Sequence, residues 1–288
     1  MSDFLSKKCF LARDKVTLVV NSCDAYQDVW PLFFCALEEY WPERSIDVVL
    51  NTEVEREILD VKGFRFHSFL NDRGHDQWGM RLIKTLESID TEYVIAVYDD
   101  FILEDNLETD KLAMLVEFMD QNKNVAVCYL TDMGFKTESG PSFNGNSLVL
   151  DGVDYRLNSA PGLWRREDLI KYTGPVDTPW AWEVFGSYRT FYDGKAFYAP
   201  VSAEDEVYKY NHRKGGAIYR GRWVADVVLS KNEKYQLGID FSSRGFSSDD
   251  SFEKRSLKWK LNFMWLGFKM VGLKSVLFLL KAIGSKLK

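Results

Sequence analysis

Two stretches of this chain put carboxylates where they could do chemistry, and a third offers cations. Tyr93-Val-Ile-Ala-Val-Tyr-Asp99-Asp100-Phe101 is a near-continuous apolar run that ends on two adjacent acids. Neighbouring carboxylates repel unless a cation or ligand neutralises them, and hard cations such as Mg2+ take one or two carboxylates together with substrate phosphates. The pair reads as a nucleotide-diphosphate site or, more plainly, as a solvated strand end before a turn. Glu183 closes the segment Asp177-Thr-Pro-Trp180-Ala-Trp182-Glu183. Aromatic neighbours desolvate a carboxylate and raise its pKa toward the range of a general base, while Trp180 and Trp182 offer flat faces to a sugar. The alternative is an acid in a first helical turn, favoured there by the helix dipole. Tyr208-Lys-Tyr-Asn-His212-Arg-Lys-Gly-Gly216 is a basic glycine loop, either solvated or able to close over phosphates.

The elements that must position these residues alternate. The run before Asp99 lies between helix-like spacing at 76–89 and at 107–121, so it reads as a buried strand of a parallel sheet. Ligands of such sheets bind outside the carboxyl ends of the strands, where Asp99 and Asp100 are delivered. Upstream, Val16–Ser22 is a first strand whose polar end continues through Cys23, Asp24 and Ala25; 28–40 is helical and closed by Trp41-Pro42; 46–52 is a second strand ending on Asn51 and Thr52. A short charged helix at 53–60 leads to a third strand at 64–69, the pattern of a doubly wound nucleotide-binding sheet. Arg81 falls beside the apolar stripe of Trp78, Leu82, Thr85, Leu86 and Ile89. It is either aimed at a diphosphate or paired with Asp76 or Glu87. Further on, 125–130 is a strand, the Gly-, Ser- and Asn-rich 131–156 suggests a long loop or hairpin over the site, and 167–172 is a helix. The stretch 157–164 is extended, Ala196–Val201 is another strand, and 223–232 a further helix.

At 288 residues with 46% hydrophobic content the chain can bury a sizeable core, and a net charge of −6 argues against a general nucleic-acid binder. Cys9, Cys23, Cys35 and Cys128 lack metal-ligand spacing, and Met1–Arg13 is too polar for a signal peptide, so reduced thiols in the cytoplasm are expected. Charge is uneven: 253–288 holds eight Lys, one Arg and one acid. Its longest uncharged stretch, Leu261–Phe268, is far below the ~20 residues that span a bilayer. Arg255, Lys258, Asn262 and Lys269 cluster on one side of a helical count, near Leu257, Leu261, Met264 and Phe268, and Gly267 and Gly272 are expected to split the tail into two helices. Such basic amphipathic helices lie in the interface of anionic membranes, or else pack on the domain or on a second subunit.

Taken together, these residues make the chain resemble bacterial glycosyltransferases of the GT-A fold, close to the family 2-like enzymes that build capsule and O-antigen polysaccharides. The resemblance covers roughly residues 15–235. It rests on Asn21-Ser22 and Asn51-Thr52 at strand ends, on Glu92–Phe101 where the family carries its Asp-x-Asp metal motif, and on Pro179–Glu183, similar to the segment holding the base of inverting members. This chain has Asp-Asp-Phe instead, which leaves open which carboxylate meets the metal. What the resemblance implies is an α/β GT-A fold, a doubly wound, Rossmann-like mixed sheet with helices on both faces, over 1–235 (donor half about 15–130, acceptor half about 131–235), followed by a linker and membrane-associating helices at 236–288.

The resemblance further implies a hexosyltransferase working at the inner face of the cell membrane, with a UDP-sugar as donor and a carbohydrate, lipid-linked, as acceptor. Mn2+ or Mg2+ would be held by Asp99, Asp100 and His212. Asn21, Ser22, Asp24, Asn51, Arg81 and Asp99 would contact the donor, Glu183 would be the base, and Trp180 and Trp182 would meet the acceptor. Two rivals stand. A nucleotidyltransferase would use the same carboxylates but carry a glycine-rich basic loop after the first strand, which Asn21-Ser-Cys-Asp-Ala lacks. A non-catalytic, membrane-attached carbohydrate-binding protein would tolerate Glu183→Gln.

Overall fold

The computed structural model describes residues 14–53, 64–68, 78–139, 143–248, 255–278 and 280. The helix expected at 53–60 and the loop expected at 72–76 lie largely or wholly outside them. The elements are β1 (Val16–Asn21), α1 (Trp30–Tyr40), β2 (Asp47–Thr52), β3 (Phe64–Ser68), α2 (Trp78–Glu87), β4 (Tyr93–Tyr98), α3 (Thr109–Gln121), β5 (Val125–Tyr129), β6 (Asn146–Leu148), β7 (Gly162–Arg165), α4 (Arg166–Tyr172), α5 (Pro179–Val184), β8 (Ala196–Pro200), β9 (Ile218–Tyr219), β10 (Arg222–Trp223), α6 (Ala225–Tyr235) and α7 (Leu257–Val271). One sheet runs β3-β2-β1-β4-β7-β5-β8-β6, and β9 and β10 form a small ribbon.

β1, β2, β3 and β4 are parallel, β7 is antiparallel to both β4 and β5, and β6 is antiparallel to β8. β1 is buried along its whole length because both faces are covered. On one side Val16, Leu18, Val20, Ile95 and Val97 pack under α1, α3 and α6; on the other Val19, Val49, Val94 and Val127 pack under α2, α4 and Trp182 of α5. This is the α/β mixed sheet with helices on both faces expected above. The chain goes from β1 to β2 and β3 in one direction and resumes at β4 on the other side, so the order reverses between β1 and β4. A crevice opens outside strand ends at such a point.

Two expectations change and one is narrowed. The 157–164 segment ends in β7, a central antiparallel strand, since Gly162 and Leu163 pair with Ala96 and Ile95 on one side and with Tyr129 and Cys128 on the other. The 131–156 stretch has at its centre a hairpin, Phe143 bridging Asn146, that adds β6 at the far edge of the sheet. The polar residues at its centre form that hairpin's turn, with Asn144 and Gly145 both at positive φ. Gly267 does not break the tail. It lies inside α7, where an added Cβ would come within 2.6 Å of the Phe185 ring, so the missing side chain permits close packing; the break comes at Gly272, φ +59°.

The tail helix docks. Phe263, Met264, Leu266, Met270, Val271 and Phe278 cover Ala181, Val184, Phe185 and Tyr188, while Arg189 donates to the Met270 carbonyl and Lys274 to that of Tyr188. The opposite face exposes Leu257, Leu261, Trp265, Phe268, Leu273 and Leu280. Counted across the break at Gly272, the helical stretch Leu257–Phe278 spans 22 residues and is long and apolar enough, by length and composition only, to cross a membrane. The segment 236–248, expected as linker, is also held: Arg244 pairs with Asp28, and Phe241 packs on Trp223.

Candidate active site

The ends of β1, β2 and β4 are stitched together. Ser22 N–H donates to the Asn51 carbonyl at 2.9 Å, Asp99 N–H to the Asn21 carbonyl at 3.2 Å, and the Asn51 amide to the Asn21 side chain at 2.9 Å. Asn51 is fully buried, so it acts on the crevice by fixing Asn21 rather than by facing it. Asp99 is 3% exposed, and its Oδ2 accepts from the Ser22 hydroxyl and from Trp30 Nε1, the latter at 3.1 Å. Asp100 lies beside it, under the 208–222 loop. Ala217 N–H donates to the Asp100 carbonyl at 2.8 Å, and a Cβ on Gly216 would stand 2.9 Å from Asp100 Oδ2, so glycine permits the approach. Tyr210 stacks on Phe101 at 4.5 Å and Tyr208 donates to its carbonyl at 2.6 Å, pinning the start of that loop.

Burial first, then its neighbour Asp100, holds the Asp99 carboxyl well above the usual carboxylate range. Burial likewise pushes Asp100 up to about 7, against the opposing pull of backbone N–H groups, including that of Ile218. Among the described residues no Lys, Arg or His is ion-paired with either acid. Among the described residues the pair thus has no protein cation beside it. It does not suit a cage made of protein alone: among the described residues no three His, Cys, Asp or Glu side chains converge to hold a metal, so the expected trio with His212 does not form. His212 instead sits against Tyr210, its Nε2 3.9 Å from Glu206.

On the β1–β2 side, Arg81 is buried and occupied. It is ion-paired with Glu53 and donates to the Ser22 carbonyl at 2.8 Å. Glu53 also accepts from the Asp24 N–H at 2.6 Å, and Asp24 accepts from Thr52 at 2.9 Å. Of the partners expected for Arg81, Glu87 is not used and Asp76 lies outside the described residues. The arginine shapes the turn that carries Ser22 and Asp24.

Glu183 reaches the same crevice from the other half of the chain. Because β7 runs antiparallel to β4, the residues entering it, 158–160, lie at the carboxyl end of β4. Ser159 N–H donates to Glu183 Oε1 at 2.7 Å, and Ser187 ties Leu157 to α5 by accepting from its N–H at 3.0 Å and donating to the Glu183 carbonyl at 2.6 Å. Burial raises the Glu183 pKa, opposed by the N–H and hydroxyl of Ser159. Tyr98 feels the charge of Glu183, Asp100 and Asp99, and Tyr210 that of Asp100 and Glu183, so the three acids share one neighbourhood.

The two tryptophans part company. Trp182 is 4% exposed, wedged between Trp78 and Trp164, with its Nε1 donating to the Tyr172 carbonyl. Two positions from Trp180 on a helix, it points inward where Trp180 points out, and it has no free face for a sugar. Trp180 is 43% exposed and stacks on Phe263 at 4.4 Å. Sequence reasoning missed Ser159, Tyr98, Tyr210, Trp30 and Glu53; of these Tyr98, just before Asp99, and Glu53, following Asn51-Thr52, stood at strand ends where they could have been noticed.

No family model matches this chain, and no curated protein matches it. Among solved structures it is similar to S. aureus TarS, with 13% identity and a TM-score of 0.44 over 66% of this chain and 37% of that one. It is also similar to the galactosyltransferase LgtC crystallised with donor and acceptor sugar analogs, with 16% identity and a TM-score of 0.34 over 54% of this chain and 59% of that one. A third is CMP:2-keto-3-deoxy-manno-octonic acid synthetase complexed with CTP, with 15% identity and a TM-score of 0.45 over 77% and 99%. The chain thus matches little more than a third of TarS and under two thirds of LgtC. Likeness this distant says nothing of substrate.

Proposed function

We propose that this protein is an inverting GT-A glycosyltransferase that moves a hexose from a nucleotide-diphosphate sugar, a UDP-sugar, to the hydroxyl of a lipid-linked carbohydrate in cell-surface polysaccharide synthesis. The observation that carries this reading is the meeting of Asp99, Asp100 and Glu183, brought from two halves of the chain to one crevice and left without a protein cation. Two acids without a protein cation at a strand switch point, Asp99 buried and Asp100 half-buried, are what a cation-borne diphosphate would complete.

Asp100, with Asp99 behind it, would hold Mn2+ or Mg2+, whose chemistry there is to neutralise the departing diphosphate. Ser22 and Trp30 orient Asp99, leaving Asp100 the freer ligand. Asn21, Ser22 and Asp24 frame the donor, their turn held by Arg81, Glu53 and Asn51. Glu183, its pKa raised by burial, takes the proton of the attacking hydroxyl, and Ser159 keeps its Oε1 in place. The loop carrying Gly216 and Ala217 keeps water from Asp100. The exposed apolar face of α7, with Lys258, Lys260, Lys269 and Lys274, supports attachment to an anionic membrane surface at the cytoplasmic side, with the helix lying in the interface because its inner face is already taken by the domain.

A thermal-shift screen of nucleoside diphosphates and sugar nucleotides, with and without Mn2+, tests this. One nucleoside diphosphate should raise the melting temperature only with metal, by linkage worth about 2.7 kcal/mol at a hundredfold excess over Kd. Absence of a shift with every nucleotide would end the reading.

A further inference from the structure

Beside the crevice lies a groove of about 250 Å³ lined by Thr178, Trp180, Trp259, Asn262, Phe263 and Leu266. Its floor is a stack of three rings: Trp180 on Phe263 at 4.4 Å, Trp180 on Trp259 at 5.2 Å and Trp259 on Phe263 at 5.0 Å. Aromatic floors with a few polar groups at the rim suit a sugar ring, whose C–H face covers the indoles while its hydroxyls meet amide and hydroxyl groups. Asn262, exposed, and Thr178 supply that rim. The groove is joined to the crevice. Trp180 and Glu183 are three apart on α5 and share a face. Tyr155 lies near both, its phenol pushed up by burial and by the charge of Glu183. Phe263 and Leu266 of α7 continue the groove with apolar surface beyond the indoles.

Resting on the proposed transferase reading, we infer that this groove is the acceptor subsite and that it takes the sugar ring of a glycoside whose apolar aglycone lies against Phe263 and Leu266 of α7. On this reading the tail helix is a wall of the binding site as well as an attachment device. Trp180 keeps the acceptor role expected from the sequence, and its partners are Trp259, Asn262 and Phe263 rather than Trp182.

The probe is octyl β-glucoside below its micellar concentration, titrated calorimetrically into the full chain, beside glucose and an octyl phosphocholine of equal chain length. The glucoside should bind saturably and more tightly than either control. Trp259→Ala should weaken it about tenfold, the loss of one aromatic face. Asn262→Ala, at an exposed position that leaves the helix packing alone, should weaken it about fivefold, the loss of one hydrogen bond. Absence of saturable binding, equal binding of the phosphocholine, or binding indifferent to both substitutions would overturn the inference. A nucleoside diphosphate with Mn2+ is titrated into the same samples. Nucleotide binding without glucoside binding removes the subsite and leaves the transferase reading standing; glucoside binding of the expected pattern without nucleotide binding keeps the subsite and removes the transferase.

Discussion

Two groups of sequestered acids in this protein are treated in opposite ways. Asp177, fully buried, is ion-paired with Arg189 and accepts from the Gly174 N–H at 2.7 Å. Asp168, 4% exposed, has Lys195 at 2.7 Å. Among the described residues Asp99, Asp100 and Glu183 receive only hydroxyl, indole and backbone N–H donors, and burial raises the pKa of all three. Burying an uncompensated carboxylate is costly, so a fold that pairs Asp168 and Asp177 and leaves these three without a protein cation marks them as candidates for a functional site.

That contrast can be broken by experiment. Glu183→Gln should lower transfer by about 10²–10⁴-fold while nucleotide binding with Mn2+ persists, as expected for a base and not for a support. Transfer at the wild-type rate would remove Glu183 from the chemistry. Arg189→Leu should cost about 3–5 kcal/mol in denaturant unfolding, because it strands Asp177. Asp99→Asn should do the reverse without metal, raising the melting temperature at neutral pH, and should abolish the Mn2+-dependent nucleotide shift. A metal-free Asp99→Asn protein less stable than wild type at neutral pH would mean that Asp99 is structural.

The pH dependence sharpens this further. Asp100 ionises near 7 when folded and near its usual 3.8 when unfolded, so its stabilising protonated form is fully present below the lower value and lost as pH rises through the upper. Acids whose folded pKa values are lowered, such as Asp120 and Asp193, have delivered their contribution by about pH 5. Between about pH 5.5 and 8 the metal-free melting temperature should therefore fall, and saturating Mn2+ with nucleotide should flatten the slope. A melting temperature that rises over this window would contradict the raised values. The smallest effect belongs to the tail: each of Lys258, Lys260, Lys269 and Lys274 changed to Gln should remove about 1 kcal/mol of binding to anionic vesicles. Unchanged sedimentation of the quadruple variant would refute the membrane role.

Much of the fold was legible because apolar runs of period suited to buried strands alternate with amphipathic helices, and β1, β2, β4, α2 and α3 lie within a residue or two of where the sequence put them. Asp99 and Asp100 were legible for the same reason: a long apolar strand must stop somewhere, and what stands at its end faces the crevice. β7 was not legible as a central strand, because Gly162–Arg165 is only four residues long and its partners, Ala96 and Tyr129, are distant in sequence. Arg81 was placed correctly on its helix, yet its partner Glu53 lies across a strand crossover that local spacing cannot see. Trp182 misled because aromatic character says that a side chain will bury or stack, and only the turn of α5 says which.

By itself, the sequence determined which elements form and that two carboxylates would stand together at the tip of a buried strand, since these follow from periodicity and burial along neighbouring residues. Only the tertiary structure decided that Glu183 would meet them. That meeting depends on β7 running antiparallel beside β4 so that Ser159 grips the glutamate, and the pairing of strands about seventy residues apart is settled by the packing of the whole sheet.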